Sequence, residues 1–301
     1  MTEFSPKETA FKIRDLLAKS GIAINRLSLV RHGDNLTYLD TKNGIVIKVY
    51  GPKYGKEQVE QIAALADYLK ASDFPSIRLD ERIRDQPVSL EGGRFTFWEY
   101  IPREGPASDY DQFGASLKAL HALLKTAPIH MPARDIAALL EERYLQLCNS
   151  EALKDTREEG WFAETFSKLS ETLSRHPYNS TPQLVHGDAH IGNAIKSKGR
   201  LFWSDFDRIH VGYLEWDLVP TLLSGRRFGL SDEQLARFRK ASGYSDALFD
   251  SAAGLVPALE FMRLCWLAGN RDLSPRHENE FQHRMSTLSS SGQDVLKWNV
   301  V

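Results

Sequence analysis

Three oxygen-bearing side chains stand close together in the second half of the chain, in two short motifs. HGDAHIGN at 186–193 places Asn193 five residues after Asp188, and WSDFD at 203–207 places Asp205 seventeen residues after Asp188. Carboxylate and amide oxygens are the ligands that Mg²⁺ prefers, and a carboxylate can also orient or deprotonate an attacking hydroxyl. Transfer of a phosphoryl group needs both of these functions, together with a cation on the donor phosphates.

A lysine in the first part of the chain can supply that cation. Lys48 lies in IVIKVY at 45–50, a predicted strand whose alternation puts it on one sheet face with Val46 and Tyr50. Its apolar stem can pack there while the ammonium reaches the phosphates. We expect an acidic partner to hold it, with Glu60 on the following helix as the first candidate and Glu57, one turn earlier, as the second.

The end of a later strand offers a place for a nucleotide base. FWEYIP at 97–102 ends the last strand predicted in the first part of the chain. We expect the backbone of Glu99, Tyr100 and Ile101 to pair with the edge of the base and so to contribute to nucleotide binding.

The intervals between the acidic and amide residues follow a pattern found in protein kinases. Their catalytic loop reads H-R-D-x-x-x-x-N, in which the Asp acts on the hydroxyl and the Asn binds a metal, and a later D-F-G supplies a chelating Asp. The two motifs of this chain keep these intervals. We therefore interpret Asp188 as the catalytic base and Asn193 and Asp205 as magnesium ligands.

The elements around these residues change character near residue 100. A capped helix begins after Ser5 and ends at Gly21, and we expect it to act as a lid or prop. Strands are predicted at 27–31, 36–41, 45–50, 87–90 and 95–101, with a helix at 54–71 and a hairpin turn at 91–94. The rest is mostly helical, at roughly 108–124, 134–149, 158–175, 215–224, 231–241, 246–270 and 276–289. A polar loop between short strands at 184–212 interrupts these helices.

This arrangement predicts an α+β fold with two lobes. Residues 1–99 would form a small antiparallel β-sheet lobe with one inserted helix, which binds the nucleotide, and residues 100–301 a larger, mostly helical lobe for catalysis and substrate binding. A cleft between two such lobes is a common place for a ligand.

The two motifs resemble the paired signature of the aminoglycoside phosphotransferase and choline kinase-like family, kinases of small molecules with a protein-kinase-like fold. The resemblance covers roughly residues 25–270 and includes IVIKVY, FWEYIP and the Leu120-His121 pair. It implies ATP- or GTP-dependent transfer of the γ-phosphoryl group to a hydroxyl, with Mg²⁺ bound by Asn193 and Asp205. It also implies that Asp217 has a structural role and braces the catalytic loop.

Two departures from the kinase pattern leave questions open. The first two strands are joined by RHGDN at 31–35 and not by G-x-G-x-x-G, so a different loop covers the phosphates. Asp207 stands where the kinase pattern has glycine, which leaves open whether it also contacts the metal.

A metal-dependent hydrolase is the alternative function. His186, Asp188 and His190 alternate along the chain and could share one face of an extended segment as ligands of zinc or a related ion. The hydrolase interpretation gives no role to Lys48 or to the 99–101 segment. The more conservative interpretation is that His186 is packed and structural, and that His190 braces its own loop.

Composition excludes several other classes. The 301 residues carry a net charge of −2, which argues against nucleic-acid binding. Cys148 and Cys265 form no CxxC motif, so a zinc ribbon or dithiol site is excluded, and a polar N-terminus with no membrane-length apolar run predicts a cytoplasmic protein without membrane contact. The partner would be a small hydroxylated substrate, such as an aminoglycoside or another antibiotic, a sugar or an amino alcohol. Its identity and the oligomeric state remain open.

Overall fold

The computed structural model describes residues 5–24, 26–32, 35–51, 53–90, 93–150, 152–153, 155–289 and 297–300. The chain divides into two compact units. The first contains Met1–Ala107, Thr126–Met131 and Gly192–Asp207; the second contains Ser108–Lys125, Pro132–Ile191 and Arg208–Val301.

Helices and strands follow one another in an order that confirms the predicted α+β class. In the described residues they are α1 (Pro6–Lys19), β1 (Ser28–His32), β2 (Asn35–Asp40), β3 (Ile45–Tyr50), α2 (Lys56–Ala71), β4 (Val88–Leu90), β5 (Gly93–Glu99), α3 (Tyr110–Leu124), α4 (Ile136–Cys148), α5 (Thr156–Ser174), β6 (Gln183–Val185), β7 (Ala194–Ser197), β8 (Arg200–Trp203), β9 (His210–Gly212), α6 (Leu214–Arg227), α7 (Asp232–Ser242), α8 (Asp246–Gly254), α9 (Val256–Gly269) and α10 (Pro275–Ser289).

The first unit is built on a five-stranded antiparallel sheet with the order β1-β2-β3-β5-β4. This confirms the small antiparallel sheet and the five strands predicted at 27–31, 36–41, 45–50, 87–90 and 95–101. The predicted turn at 91–94 includes Glu91 and Gly92, which lie outside the described residues, as do Gly33 and Asp34 of the RHGDN segment.

The two faces of this sheet differ in chemistry because side chains alternate along each strand. One face presents Ile45, Ile47 and Val49 to a buried apolar cluster that also contains Ile13 and Leu17 of α1. Because α1 buries Ile13 and Leu17 against these strand residues, it acts as a prop for the sheet. The opposite face of β3 carries the polar side chains of Lys48 and Tyr50.

The second unit is mostly helical, and its helices lie close to the predicted positions. One prediction is wrong: the single helix expected at 246–270 is two helices, α8 and α9, which meet at Leu255. Pro257 stands in the first turn of α9, where a proline ring is tolerated, whereas inside one continuous helix it would clash with the preceding turn.

The stretch Asp246–Gly269 is long and apolar enough to cross a membrane by length and composition, contrary to the sequence expectation, but 56% of its most apolar window is buried in the structure. Such burial is typical of a core helix, and α9 packs against α4 and α6.

The segment predicted as a polar loop between short strands, 184–212, contains four short strands that form two separate pairs. In the second unit β6 pairs with β9, and in the first unit β7 pairs with β8, in both cases antiparallel. The segment 186–193, which carries the first motif, follows β6, and the second motif follows β8.

Candidate active site

Lys48 lies between two carboxylates in the first unit. Its Nζ atom is 2.6 Å from Asp205 Oδ1 and 2.6 Å from Asp207 Oδ2. The side chains of Lys48, Asp205 and Asp207 are 14%, 21% and 9% exposed. Burial alone would lower the pKa of Lys48, but the charges of Asp207 and Asp205 outweigh it and leave that pKa raised. The lysine is therefore held as an ammonium.

Asp207 is fixed from several sides. Its Oδ2 atom accepts a hydrogen bond from Asn35 Nδ2 at 2.5 Å, and its Oδ1 atom accepts one from Tyr50 Oη at 3.2 Å. Burial raises the pKa of Asp207, and Lys48 acts in the opposite direction. Burial also raises the pKa of Tyr50, which keeps its hydroxyl available as a donor. Asp207 thus orients Lys48 from a nearly buried position.

Asn193 and Asp205, the two residues predicted to bind the metal, stand in the chain at one end of the β7–β8 hairpin. Asn193 directly precedes β7, and its carbonyl oxygen accepts hydrogen bonds from Ser204 N at 2.9 Å and Ser204 Oγ at 2.8 Å. Asp205 follows Ser204 and has a φ of 64°, a left-handed conformation that few residues other than glycine adopt. The residue with this backbone conformation, Asp205, is one of the two whose carboxylates contact Lys48.

The prediction that Glu60 pairs with Lys48 is wrong. Glu60 is 46% exposed and lies 3.6 Å from Lys56 Nζ, and Glu57 is exposed as well. Helix α2 turns its apolar face, which includes Val59 and Ile62, into the unit, so Glu60 points elsewhere. The partners of Lys48 come from the segment after β8 instead.

The 99–101 segment offers one backbone donor to a ligand. Glu99 N donates to Arg78 O at 2.9 Å, and Tyr100 N donates to Gly44 O at 2.8 Å. Within the described part of the chain, Ile101 N donates to no protein acceptor. Ile101 is thus the position in this segment where a base could accept a backbone hydrogen bond.

In the second unit, Asp217 anchors the loop that carries Asp188. The Asp217 carboxylate accepts hydrogen bonds from His186 N at 2.7 Å and Gly187 N at 2.8 Å, and it lies 2.8 Å from His121 Nε2. The His121 ring also contacts Tyr244 Oη. Burial by itself would raise the pKa of Asp217, but the hydrogen bond from His121 and the neighbouring groups leave it lowered. This is the bracing role implied by the sequence resemblance.

Gly187 and His186 set the course of the same loop. Gly187 has a φ of 81°, and a Cβ atom there would lie 2.1 Å from Arg208 O, so only glycine fits. His186 is fully buried, and its Nδ1 atom accepts a hydrogen bond from Asp188 N at 3.3 Å. The Asp188 side chain is partly exposed, with His190 Nε2 3.9 Å from Asp188 Oδ2.

The hydrolase alternative gains no support from this geometry. The Nδ1 atom of His186 faces the backbone of its own loop. Among the described residues, no group of three or more His, Cys, Asp or Glu side chains is arranged to hold a metal ion.

Three side chains at these positions were not predicted from the sequence: one contacts Asp205, one contacts Asp207 and one lies near Asp188. Arg31 Nη1 lies 3.0 Å from Asp205 Oδ2, and Asn35 binds Asp207. Both stand at the ends of RHGDN, and the pairing of β2 with β3 would have placed Asn35 beside Tyr50. Arg263 on α9 is the third; burial lowers its pKa, and Asp188 is close enough to act against that shift. Its position could not be found without the packing of α9.

The chain belongs to the APH phosphotransferase enzyme family, whose family model matches residues 27–255. The protein is therefore a phosphotransferase, as the two motifs predicted. It matches no curated protein sequence.

Solved structures with the same protein-kinase-like fold cover nearly the whole chain. Amicoumacin kinase hAmiN, in complex with AMP-PNP, Ca²⁺ and Ami, is 16% identical with a TM-score of 0.72, over 97% of this chain and 98% of that one. Choline kinase LicA from Streptococcus pneumoniae is 14% identical with a TM-score of 0.65, over 94% and 99%. Spectinomycin phosphotransferase APH(9)-Ia, in complex with ADP and its antibiotic, is 13% identical with a TM-score of 0.62, over 93% and 94%. At these identities the likeness establishes the fold, and the predicted fold class is confirmed.

Proposed function

We propose that the protein transfers the γ-phosphoryl group of ATP or GTP, with Mg²⁺, to a hydroxyl group of a small molecule. The observation that carries this proposal is the Lys48 ammonium between Asp205 and Asp207, beside the end of the hairpin that carries Asn193. A phosphate-binding cation and oxygen ligands for a metal are the groups that phosphoryl transfer requires.

The chemistry of the donor set suits magnesium. Asp205 and Asn193 offer hard carboxylate and amide oxygens, and the backbone of Asn193 is hydrogen-bonded to Ser204, the residue before Asp205. Bound Mg²⁺ would neutralise charge on the transferring phosphoryl group. In this proposal Lys48 binds the donor phosphates, and the backbone at Glu99, Tyr100 and Ile101 receives the base.

Asp188 acts on the acceptor hydroxyl as the general base. Its loop is anchored through Asp217 and has a course that only Gly187 permits, so the carboxylate is positioned before substrate binds. Such positioning is a large part of catalysis in phosphoryl transfer. We assign nucleotide binding to residues 1–99. We assign the general base and the acceptor site to residues 100–301, which also supply Asn193 and Asp205.

The acceptor is a hydroxylated small molecule, such as an antibiotic, a sugar or an amino alcohol. The positive charge of Arg263 offsets part of the negative charge of Asp188, which makes this place less favourable for a polycation. The solved structures named above carry the names of kinases for different acceptors, so an acceptor panel should include cationic, neutral and anionic compounds.

A panel of hydroxylated compounds, assayed for release of ADP or GDP with Mg²⁺, tests the proposal. With an accepted substrate, Asp188→Asn should lower kcat by roughly 10²–10⁴-fold, as expected when a general base is lost. Asp250→Asn, on the exposed face of α8, is the matched control and should retain full turnover.

Binding of the nucleotide supplies a second, independent measurement. Asp205→Asn should weaken Mg²⁺-dependent nucleotide binding in a titration, while Asp188→Asn should leave it intact. Full turnover by Asp188→Asn would refute the base assignment. Stoichiometric zinc in the purified protein, without Mg²⁺-nucleotide binding, would favour the hydrolase instead.

A further inference from the structure

We propose that Arg31 is a second phosphate-binding cation, which binds the terminal phosphate of the donor nucleotide beside Lys48. This inference rests on the proposed function and adds a residue to its nucleotide site. It starts from the ion pair between Arg31 Nη1 and Asp205 Oδ2 at 3.0 Å.

Arg31 and Lys48 belong to one row of residues across the sheet. Arg31 pairs with Thr37 of β2, and Thr37 pairs with Lys48 of β3. Residues directly opposite each other point to the same sheet face. At about 4.8 Å between neighbouring strands, the Cα atoms of Arg31 and Lys48 are about 10 Å apart, and the small Thr37 side chain stands between them. The long cationic side chains of Arg31 and Lys48 therefore lie on the same sheet face, with the short side chain of Thr37 between them.

A β-bulge puts Arg31 on this face. The register of β1 against β2 shifts between Leu29 and Arg31. Without the shift, the pairing of Leu29 with Tyr38 would set Arg31 opposite Leu36, on the apolar face. One inserted residue therefore turns the guanidinium toward the carboxylates, and such bulges commonly redirect a side chain at a functional site.

The charges of the site favour a phosphate role. Two carboxylates, Asp205 and Asp207, face one ammonium, so these three groups carry a net negative charge before Mg²⁺ binds, and a further cation lowers their repulsion of an incoming triphosphate. Arg31 brings the set to neutrality. Its guanidinium fork also matches the geometry of phosphate oxygens.

The ion pair with Asp205 does little for folding. Arg31 is 69% exposed, and Asp205 is its only partner among the described residues. Exposed pairs of this kind contribute about 0–1 kcal/mol. When Asp205 turns toward a metal, Arg31 can exchange that carboxylate for a phosphate oxygen without a large loss of stability.

Titrations with two nucleotides separate a terminal-phosphate contact from other roles. We expect Arg31→Ala to weaken binding of Mg²⁺·AMP-PNP, or of Mg²⁺·GMP-PNP if guanine is preferred, by about tenfold or more, the range of one charge-assisted hydrogen bond. Binding of the matching Mg²⁺·diphosphate should change by less than about threefold, and Arg31→Lys should give an intermediate loss. Arg84→Ala, an exposed arginine before β4 at the other sheet edge, is the control and should bind as wild type does.

Other outcomes would overturn the proposal. Equal weakening of binding for the triphosphate analogue and for the diphosphate would show that Arg31 does not contact the terminal phosphate. Unchanged or tighter binding by Arg31→Ala would mean that Arg31 only restrains Asp205. Either result, with wild type binding normally, refutes the Arg31 assignment alone. Failure of folded wild-type protein to bind any Mg²⁺·nucleotide would refute the proposed function and this inference with it.

Discussion

Replacement of Lys48 by methionine should destabilise the first unit through the carboxylate it leaves behind. Methionine keeps most of the apolar stem and removes the ammonium that lies 2.6 Å from Asp207 Oδ2 and from Asp205 Oδ1. Asp207 then remains buried without a cation, with Asn35 and Tyr50 as hydrogen-bond donors.

The size of the effect follows from the burial of the two carboxylates. Removal of one partner from a fully buried ion pair costs about 3–5 kcal/mol. Asp205 is partly exposed and can be hydrated, and Asp207 keeps two donors, so we expect a loss of about 2–3 kcal/mol at pH 7. Loss of the cation raises the already raised pKa of Asp207 further. A carboxyl group with a raised folded-state pKa binds more protons in the folded state, so the variant loses stability as pH rises and regains part of it as pH falls below 7.

Urea unfolding monitored by tryptophan fluorescence, at pH 5 and pH 7, measures both effects. Lys56→Met, which removes an exposed ammonium 3.6 Å from Glu60, is the matched control and should change stability by less than about 0.5 kcal/mol. The double variant Lys48→Met/Asp207→Asn should recover more than half of the loss, because a neutral amide needs no counter-ion. A single variant as stable as the control, or a double variant no better than the single one, would refute the reasoning.

Three further substitutions test the positions of buried groups. Gly187→Ala, whose Cβ would lie 2.1 Å from a backbone oxygen, should lower the melting temperature strongly and reduce turnover, whereas Gly44→Ala, at a φ of 66° with nothing within 4 Å, should cost only about 1 kcal/mol. Asp217→Asn should cost about 2–4 kcal/mol at pH 7; because the folded-state pKa of Asp217 is lowered, its contribution is present above about pH 4 and is lost as pH falls further, so the wild type and this variant should converge during acid unfolding. Tyr50→Phe removes a donor to Asp207 and should cost about 1 kcal/mol in the urea assay.

Local patterns in the sequence were enough to predict where several residues of the candidate site stand in the fold. The alternation of β3 predicted Lys48 and Tyr50 on one face, and the two motifs lie where Asn193 precedes β7 and Asp205 follows β8 of one short hairpin. Strand alternation and hairpin pairing are short-range properties, so they can be read from spacing.

Long-range packing decided what the sequence could not show. The choice of Glu60 as the partner of Lys48 failed because the orientation of α2 depends on which of its faces is buried. The sequence did not predict Arg31 at the site. Strict alternation along β1 would place its side chain on the apolar face of the sheet, and only the β-bulge after Leu29 places it on the opposite face. Pro257 was a signal for the break at Leu255, but not a sufficient one, because Pro220 stands inside the continuous helix α6.

The different surroundings of Asp205 and Asp207 give them different tasks in the proposed reaction. Asp207 is nearly enclosed and accepts hydrogen bonds from a lysine, an amide and a phenol, so it cannot turn toward a ligand without leaving buried donors unpaired. Asp205 is more exposed, and one of its ion-pair partners is the solvent-exposed Arg31. It can exchange partners at low cost. We therefore expect Asp205 to be the carboxylate that moves to the metal, and Asp207 to keep the Lys48 ammonium aimed at the phosphates throughout the cycle.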